Sequence, residues 1–382
     1  MNFIHTGDWH LGRAFYNVSL LEDQAYVLDQ FIACIRERKP DLVVIAGDVY
    51  DRSVPNTDAV KLLDDTLTRL VLDVQVPVML IAGNHDSPQR LQFGARLMES
   101  RRLYIYGLLT HPTTFIQMYD DAGPVCFYPL PYSEPPVFRE YFADEKIIDY
   151  ESAMRAWIEQ VQNMHAQSAR SVLITHAFVM GGETSESERP LSVGGSSAVN
   201  ADILRNFNYV ALGHLHRPQT IAGTTIYYAG SLLKYSFSEA DHEKSINWVE
   251  MDSTGQCKIE RISLTPKRDV RIVEGYLDDV LKAPAQANQN DLIQFKLLDK
   301  RAILDTMGKL RQVYPNAMDI DPSVSLEQTR TELVHPDLRR TDTVSLFNDF
   351  FQQVTGDPLG DEERQAFIRI VDQLRQQERE AE

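Results

Sequence analysis

The chain has 382 residues and a net charge of −17, with shares of apolar and charged residues that are ordinary for a globular protein. This length predicts two or three domains and is enough for one large core. No apolar run approaches the ~20 residues that span a bilayer, and the chain opens without a signal-peptide pattern. We therefore expect a cytoplasmic protein with no membrane segment. An acidic chain is a poor general binder of polyanions, so a phosphodiester substrate would need local attraction, which bound divalent cations can supply.

Five short apolar runs are typical of buried strands, and each ends in a polar motif. They are followed by Gly7-Asp8-Trp9-His10, by Gly47-Asp48, by Gly83-Asn84-His85-Asp86, by His176, and by Gly213-His214-Leu215-His216. In α/β sheets, chemistry gathers beyond the carboxyl ends of the strands. If the five strands lie side by side, these side chains converge on one edge of one sheet. The set suits metal ions, and two ions are needed to use all of it.

The types of candidate ligand narrow the choice of metal. Carboxylate, imidazole and amide oxygen without thiolate favour manganese or iron, with zinc and magnesium as alternatives. The three cysteines, Cys34, Cys126 and Cys257, match no zinc or redox spacing. A two-metal site usually needs one bridging carboxylate, and Asp48 is best placed for it in the order of the motifs.

Helical spacing alternates with the strands up to about residue 265. We expect helices at 23–38, 57–73, 89–99 and 151–166. The apolar stripe of the second helix is either core or interface. Residues 181–197 are rich in Gly, Ser and Glu and predict a surface loop, which either only connects its neighbours or faces the substrate.

The remainder of the chain is predicted to form three further parts. Residues 266–326 predict a small α+β cap domain, and the polar residues 327–342 predict a linker. Residues 343–382 predict two amphipathic helices, too small to form a core of their own. Such exposed stripes bind a groove or another helix, so this segment is predicted to bind a partner. The stripes are Phe347-Phe350-Phe351-Val354 and Phe367-Ile370-Val371-Leu374.

The five motifs GDWH, GDVYDR, GNHD, a single histidine after a strand, and GHLH resemble, in this order, the calcineurin-like metallophosphoesterases. The match covers about the first 230 residues. Within that superfamily, the opening HTGDWHLGRAFY, the cap and the tail LFNDFFQQVTGDPLGDEE are similar to nuclease subunits that bacteria combine with an ATPase. The family usually has serine where Gly7 stands, a difference that removes no ligand.

The resemblance implies a role for each matching residue. The first metal would be held by Asp8, His10, Asp48 and His216. The second would be held by Asp48, Asn84, His176 and His214, with Asp48 bridging. His85 would donate a proton or hydrogen bond to the leaving oxygen, and Asp51 would orient His85. Arg52 would either contact the scissile phosphate or form a surface salt bridge.

The resemblance also implies an α/β sandwich of two sheets flanked by helices. The implied activity is manganese-dependent cleavage of DNA, as exonuclease and endonuclease, with two Mn²⁺ ions and with Mg²⁺ or iron as alternatives. The implied partners are DNA and the ATPase, which the C-terminal helices would bind, and a second copy of the chain within a heterotetramer. Two alternatives remain. A small-molecule or cyclic-nucleotide phosphodiesterase would suit the acidic charge. An assembly subunit with a dispensable metal site is opposed by the complete ligand set.

Overall fold

The structure is a computed structural model that describes residues 1–110, 113–164, 170–189, 198–221, 223–282, 288–299, 303–321, 347–348, 351–352, 360 and 363–370. The chain divides into two compact units, Met1–Val270 and Arg271–Glu382. Within the described residues, no helix has the length and apolar character needed to cross a membrane. The domain boundary after residue 265 stays a prediction, and the predicted linker 327–342 lies outside the described residues.

The strands and helices of the first unit alternate along the chain. The strands are β1 Asn2–Thr6, β2 Ala14–Phe15, β3 Val18–Ser19, β4 Leu42–Ile45, β5 Val78–Ile81, β6 Leu103–Tyr106, β7 Ile116–Asp120, β8 Gly123–Leu130, β9 Arg170–His176, β10 Phe178–Val179, β11 Ala198–Val199, β12 Tyr209–Gly213, β13 Gln219–Thr220, β14 Ile226–Tyr228, β15 Ser245–Met251 and β16 Cys257–Ser263. The α-helices are α1 Leu21–Arg38, α2 Thr57–Thr68, α3 Pro88–Leu91, α4 Ala95–Met98, α5 Pro135–Phe142 and α6 Tyr150–Met164.

Two six-stranded sheets form the first unit, with strand orders β16-β15-β1-β4-β5-β6 and β13-β14-β12-β9-β8-β7. Apolar side chains of both sheets, such as Phe3 and Val44 from one and Phe127 and Ile174 from the other, form a buried core between them. The predicted two-sheet α/β fold is therefore confirmed. The prediction that the five polar motifs converge on one edge of a single sheet is wrong. The strands β1, β4 and β5 lie in the first sheet, while β9 and β12 lie in the second.

The helices follow from the spacing of their apolar residues. In α6 the predicted stripe of Met154, Trp157, Ile158 and Val161 is buried, and it packs with the outer face of the second sheet. The helix predicted at 57–73 is α2 followed by a π-helical turn, Arg69–Val74. The helix predicted at 89–99 is interrupted, because α3 ends at Leu91 and Gly94, with a φ of +75°, directly precedes α4.

The second unit has a small sheet and two helices. Its strands are β17 Val270–Gly275, β18 Leu292–Leu297 and β19 Ala317–Ile320, in the order β17-β18-β19. Its helices α7 Leu277–Lys282 and α8 Thr306–Val313 contribute Leu277 and Leu310 to a buried core with Phe295. In the tail, residues 363–370 are helical.

Candidate metal centre

The residues that follow β1, β4, β5, β9 and β12 meet at one edge of the sandwich. The loops approach one another closely because glycines occupy the positions where they are in contact. A Cβ atom at Gly83 would overlap the Asp48 carboxylate, and one at Gly213 would overlap the carbonyl oxygen of Ala46. Both glycines therefore allow loops from different strands, and at Gly213 from different sheets, to approach within contact distance.

Four of the predicted ligands have left-handed backbone conformations, which non-glycine residues rarely adopt. The φ angles are 51° at Asp8, 45° at His10, 48° at Asp48 and 107° at His214. Each such residue costs on the order of 1–3 kcal/mol, and such strain clusters at functional sites. The fold therefore holds these four side chains in place against a local preference for other conformations.

The first predicted ligand set is close together. The Nε2 atoms of His10 and His216 are 3.0 Å apart, and one ligand atom from each of Asp8, His10 and His216 lies within 4.8 Å of the others. Two nitrogens bound to one ion at about 2.1 Å in adjacent positions are separated by about 3 Å. The spacing of these imidazoles therefore fits a shared cation.

The second predicted set is close together as well. His176 Nε2 lies 2.9 Å from Asn84 Oδ1, and His214 Nδ1 lies 3.3 Å from the same oxygen. The Oδ2 atom of Asp48 is 3.5 Å from His176 Nε2 and 3.6 Å from His10 Nε2. Asp48 thus lies between the two sets.

Burial shifts the pKa values of the carboxyl and imidazole groups in this cluster toward their neutral forms. Burial and the neighbouring Asp48 carboxylate raise the pKa of Asp8 well above its usual range, and burial raises the pKa of Asp48 to about 6. Burial lowers the pKa of His176 and of His216 to about 4, so both are neutral and able to bind metal at pH 7. Among the described side chains, Asp8 Oδ2 is buried and has no hydrogen-bond partner. These properties fit the binding of divalent cations.

The three residues with predicted roles beside the metals lie near the cluster. His85 Nε2 is 3.9 Å from Asp48 Oδ2, and its Nδ1 is 2.8 Å from the main-chain oxygen of Asp51. The Asp51 carboxylate instead accepts a hydrogen bond from Arg13, at 3.1 Å. Arg52 is 80% exposed, with its Nε 3.7 Å from Asp51 Oδ2.

Two carboxylates near the site were not singled out from the sequence. Asp86 accepts hydrogen bonds from the amides of Val49, Tyr50 and Gly83, which joins the loops after β4 and β5. Glu188 accepts the His216 amide at 2.7 Å. Asp86 could have been found, since it completes the Gly83-Asn84-His85-Asp86 motif, whereas Glu188 stands in a segment without any pattern.

Of the histidines outside the motifs, the two that are described, His5 and His242, belong to none of the possible metal-binding groups among the described residues. Buried His5 bonds the Tyr209 hydroxyl and the Leu212 carbonyl, and His242 is buried elsewhere. His111, His165 and His335 lie outside the described residues. The three cysteines are free thiols.

Comparison with known proteins places the chain in a family. A model of calcineurin-like phosphoesterases matches residues 1–218, and a model described as the type 5 capsule protein repressor C-terminal domain matches residues 266–355. The SbcD component of the nuclease SbcCD from Staphylococcus epidermidis is 35% identical over 356 residues, which are 93% of this chain and 94% of that protein.

Solved structures of low sequence identity were also matched. A dimetal phosphatase from Danio rerio is 14% identical, with a TM-score of 0.41, over 69% of this chain and 98% of that one. GAP50, the anchor in the inner membrane complex of Plasmodium, is 13% identical, with a TM-score of 0.40, over 84% of this chain and 96% of that one. On the strength of the two family models and the bacterial relative, the chain is a metal-dependent phosphodiesterase that belongs to the calcineurin-like phosphoesterase family and, within it, to the SbcD nuclease family.

Proposed function

We propose that the chain hydrolyses DNA phosphodiester bonds with two divalent cations, natively manganese, and acts as both exonuclease and endonuclease. The observation that carries the two-cation proposal is the position of Asp48. One of its oxygens lies 3.6 Å from His10 and 3.5 Å from His176, which belong to different ligand sets. A carboxylate in this position can serve two ions at once.

The proposed ligand sets are those indicated by the motifs. The first ion is held by Asp8, His10, Asp48 and His216, and the second by Asp48, Asn84, His176 and His214. The donor set contains no thiolate and mixes carboxylate, imidazole and amide oxygen, which supports manganese, with magnesium or iron as alternatives. When bound, two such ions make a water nucleophilic near neutral pH and neutralise the charge that develops on the phosphate.

His85 is proposed to supply the proton that the leaving oxygen needs. The carbonyl oxygen of Asp51 can only accept, so His85 Nδ1 must carry a hydrogen and donate it over 2.8 Å. The opposite nitrogen, Nε2, faces the cluster at 3.9 Å from Asp48. Nε2 is therefore the atom that gains and releases a proton during the reaction.

Arg52 is proposed to contact the DNA phosphate. Its guanidinium is largely exposed, whereas the Asp51 carboxylate already has Arg13 as a closer partner. An exposed arginine beside the cluster can meet a phosphate oxygen without first giving up a buried ion pair. It adds a local positive charge to a chain with a net charge of −17.

The natural substrate and partners are proposed from the relative's name and from the tail. A relative that spans nearly the whole chain is a subunit of SbcCD, so we assign DNA as substrate and an SbcC-type ATPase as partner in a cytoplasmic, nucleoid-associated complex that processes DNA ends and hairpins. Homodimerisation within a heterotetramer is supported by exposed apolar side chains in the segments that follow β4 and β5, including Val60 in α2, Phe93, and Leu97 in α4.

Two measurements test this function. Mn²⁺ titration by calorimetry should give two equivalents bound to the wild-type chain; none or one would contradict the two-cation site. Cleavage of bis-p-nitrophenyl phosphate should be compared with cleavage of long duplex DNA, with open and blocked ends, in the presence and absence of the ATPase. Turnover of small diesters without any cleavage of DNA would favour the small-molecule phosphodiesterase instead.

A further inference from the structure

Behind His216 lies a series of hydrogen-bonded side chains that the proposed chemistry does not use. We call this series, which consists of Ser187, Glu239 and Lys244, the relay. The Nε2 atom of His216 faces His10, and its other ring nitrogen, Nδ1, lies 2.6 Å from the hydroxyl of Ser187. That hydroxyl also contacts Glu239, a fully buried carboxylate. Lys244, itself 5% exposed, donates to the other oxygen of Glu239.

The donors and acceptors in this relay fix which group donates in each hydrogen bond. Glu239 receives an N–H from the Lys244 ammonium and, at 3.2 Å, one from the Tyr235 amide. A carboxylate that is paired with a lysine can only accept, so Ser187 must donate its hydroxyl hydrogen to Glu239. With that hydrogen committed, the Ser187 oxygen is left to accept a hydrogen bond from His216 Nδ1.

The tautomer of His216 follows from this direction. We infer that Ser187 and Glu239 are positioning residues that place the hydrogen of His216 on Nδ1 and keep the lone pair of Nε2 turned toward the metal centre. A histidine that binds metal through one nitrogen usually donates from the other, and this second contact sets both tautomer and ring orientation. The inference rests on the proposed function of His216 as a metal ligand.

The main chain around the relay is held independently. Lys244 Nζ donates to the carbonyl oxygen of His216 at 2.7 Å, and Glu188 accepts the His216 amide at 2.7 Å. Arg13 donates to the carbonyl oxygen of Ser187 at 3.1 Å. Loss of the Ser187 hydroxyl would thus leave only the Glu239 carboxylate, 3.5 Å from His216 Nδ1, to hold the hydrogen there, while these contacts keep both residues in place.

The test compares Ser187→Ala with Ser185→Ala in the full-length chain. Ser185 lies in the same segment, and its buried hydroxyl has no partner among the described residues. In chelator-treated protein labelled with ¹⁵N-histidine, His216 is assigned by comparison with His216→Gln. We expect the Nδ1–H tautomer in the wild type and in Ser185→Ala, and a mixture in Ser187→Ala.

Calorimetry with Mn²⁺ is the second measurement. Ser187→Ala should raise the Kd of one of the two ions about 10-fold, the lower end of the effect of losing such a partner, and Ser185→Ala should match the wild type. Glu239→Gln, with its fold checked by circular dichroism, should shift the tautomer in the same way. The amide nitrogen of glutamine can donate to the Ser187 oxygen, so the Ser187 hydroxyl is free to donate its own hydrogen to His216 Nδ1.

The outcomes separate the relay from the function on which it rests. If His216→Gln binds both ions as the wild type does, the ligand assignment and the relay are both wrong. If His216→Gln loses one ion while Ser187→Ala shows the wild-type tautomer and affinity, the two-cation site stands and the relay is wrong.

Discussion

The Nδ1 atom of His85 is bonded to the main-chain oxygen of Asp51, at 2.8 Å, and not to its carboxylate. The carboxylate of Asp51 pairs with Arg13 and lies 3.7 Å from His10 Nδ1. If Asp51 orients His85, it therefore does so through its backbone, which a change of side chain leaves in place. A change of the Asp51 side chain can therefore test the role of its charge without removing the backbone contact to His85.

We predict that His85→Gln lowers DNA cleavage by about 10²–10⁴, the usual contribution of a general acid, and retains both metals. The reason is that glutamine cannot hold and release a proton at the position of Nε2. Cleavage rates and metal analysis of the purified variant provide the measurement. Loss of one equivalent of manganese would instead make His85 a ligand.

Asp51→Asn is the matched comparison for His85→Gln. It keeps the carbonyl oxygen that accepts from His85, so the cleavage rate should fall by less than about 10-fold, well below the contribution of a general acid. A loss as large as that of His85→Gln would show that the Asp51 carboxylate itself takes part.

A second prediction concerns Asp48. Asp48→Asn removes the charge from a carboxylate whose Oδ2 lies 3.6 Å from His10 Nε2 and 3.5 Å from His176 Nε2, so the affinity for both ions should fall and cleavage should be lost. The fold should persist, because asparagine keeps an oxygen that can accept the His85 amide at 2.8 Å. Calorimetry and circular dichroism on the same sample test this. Manganese-dependent cleavage near the wild-type rate would rule out bridging.

The convergence of the ligands could be predicted because each polar motif follows a buried apolar run, and the parallel strands of an α/β fold end on a common edge. The assignment of strands to sheets could not be predicted from the runs alone. Leu42–Ile45 and Tyr209–Gly213 are both wholly buried, yet they lie in different sheets, since their pairing depends on distant partners rather than on local pattern.

The contacts around the ligands could not be predicted from the sequence for a related reason. Ser187, Glu239 and Lys244 occur at no spacing that a motif describes, and only the meeting of separate loops brings them behind His216. The sequence could likewise suggest that Asp51 and His85 are neighbours. It could not show whether the side chain or the main chain of Asp51 makes the contact.

A third prediction concerns acid stability away from the metal centre. Two hydrogen bonds from Arg170 hold the pKa of Asp120 well below its usual range. A carboxyl whose pKa is lower in the folded state stabilises the fold above the unfolded pKa of about 4, and this stabilisation is lost as the pH falls through the folded value. Asp120→Asn should therefore lower the free energy of unfolding at pH 7 by roughly 2 kcal/mol.

The control for Asp120→Asn is Asp121→Asn, at the exposed neighbouring position. Denaturant unfolding of the three proteins from pH 7 to pH 3 should show the deficit of Asp120→Asn shrinking below about pH 4. A deficit that stays constant over this range would exclude ionisation of Asp120 as its cause.

A fourth prediction is that the isolated chain binds DNA weakly and that this binding is sensitive to salt. Its net charge of −17 leaves few sites for phosphate contacts. Each duplex phosphate contact contributes roughly 0.9 to the slope of log K against log salt, so the slope counts the contacts directly. Fluorescence anisotropy with labelled duplex DNA at several salt concentrations measures this. Tight binding at physiological salt would contradict the prediction.

The last prediction concerns the C-terminal tail as the site that binds the ATPase. The rings of Phe347 and Phe367 stack, with centroids 3.8 Å apart and planes at 4°, so part of both predicted stripes is used to pack the two segments together. Ile370 belongs to the same stripe but is 54% exposed, which leaves it available to a partner; Phe350 lies outside the described residues. Removal of residues from Asp342 onward should abolish co-purification with the ATPase and ATP-stimulated cleavage, while manganese-dependent cleavage of simple substrates remains.

Two single changes and one double change sharpen the test of the tail. Ile370→Glu should weaken capture of the ATPase, because it puts a charge on the exposed part of the stripe, and Gln365→Glu, with the same change of charge at another exposed position, should leave it intact. The pair Phe350→Glu and Ile370→Glu should reproduce the effect of truncation. Pull-down of the ATPase by tagged full-length variants gives the readout, with nuclease activity on a simple substrate measured in parallel to show that the catalytic unit is folded. Undiminished capture by both the truncated chain and the double variant would place the ATPase on another surface, since neither protein would retain an intact apolar stripe.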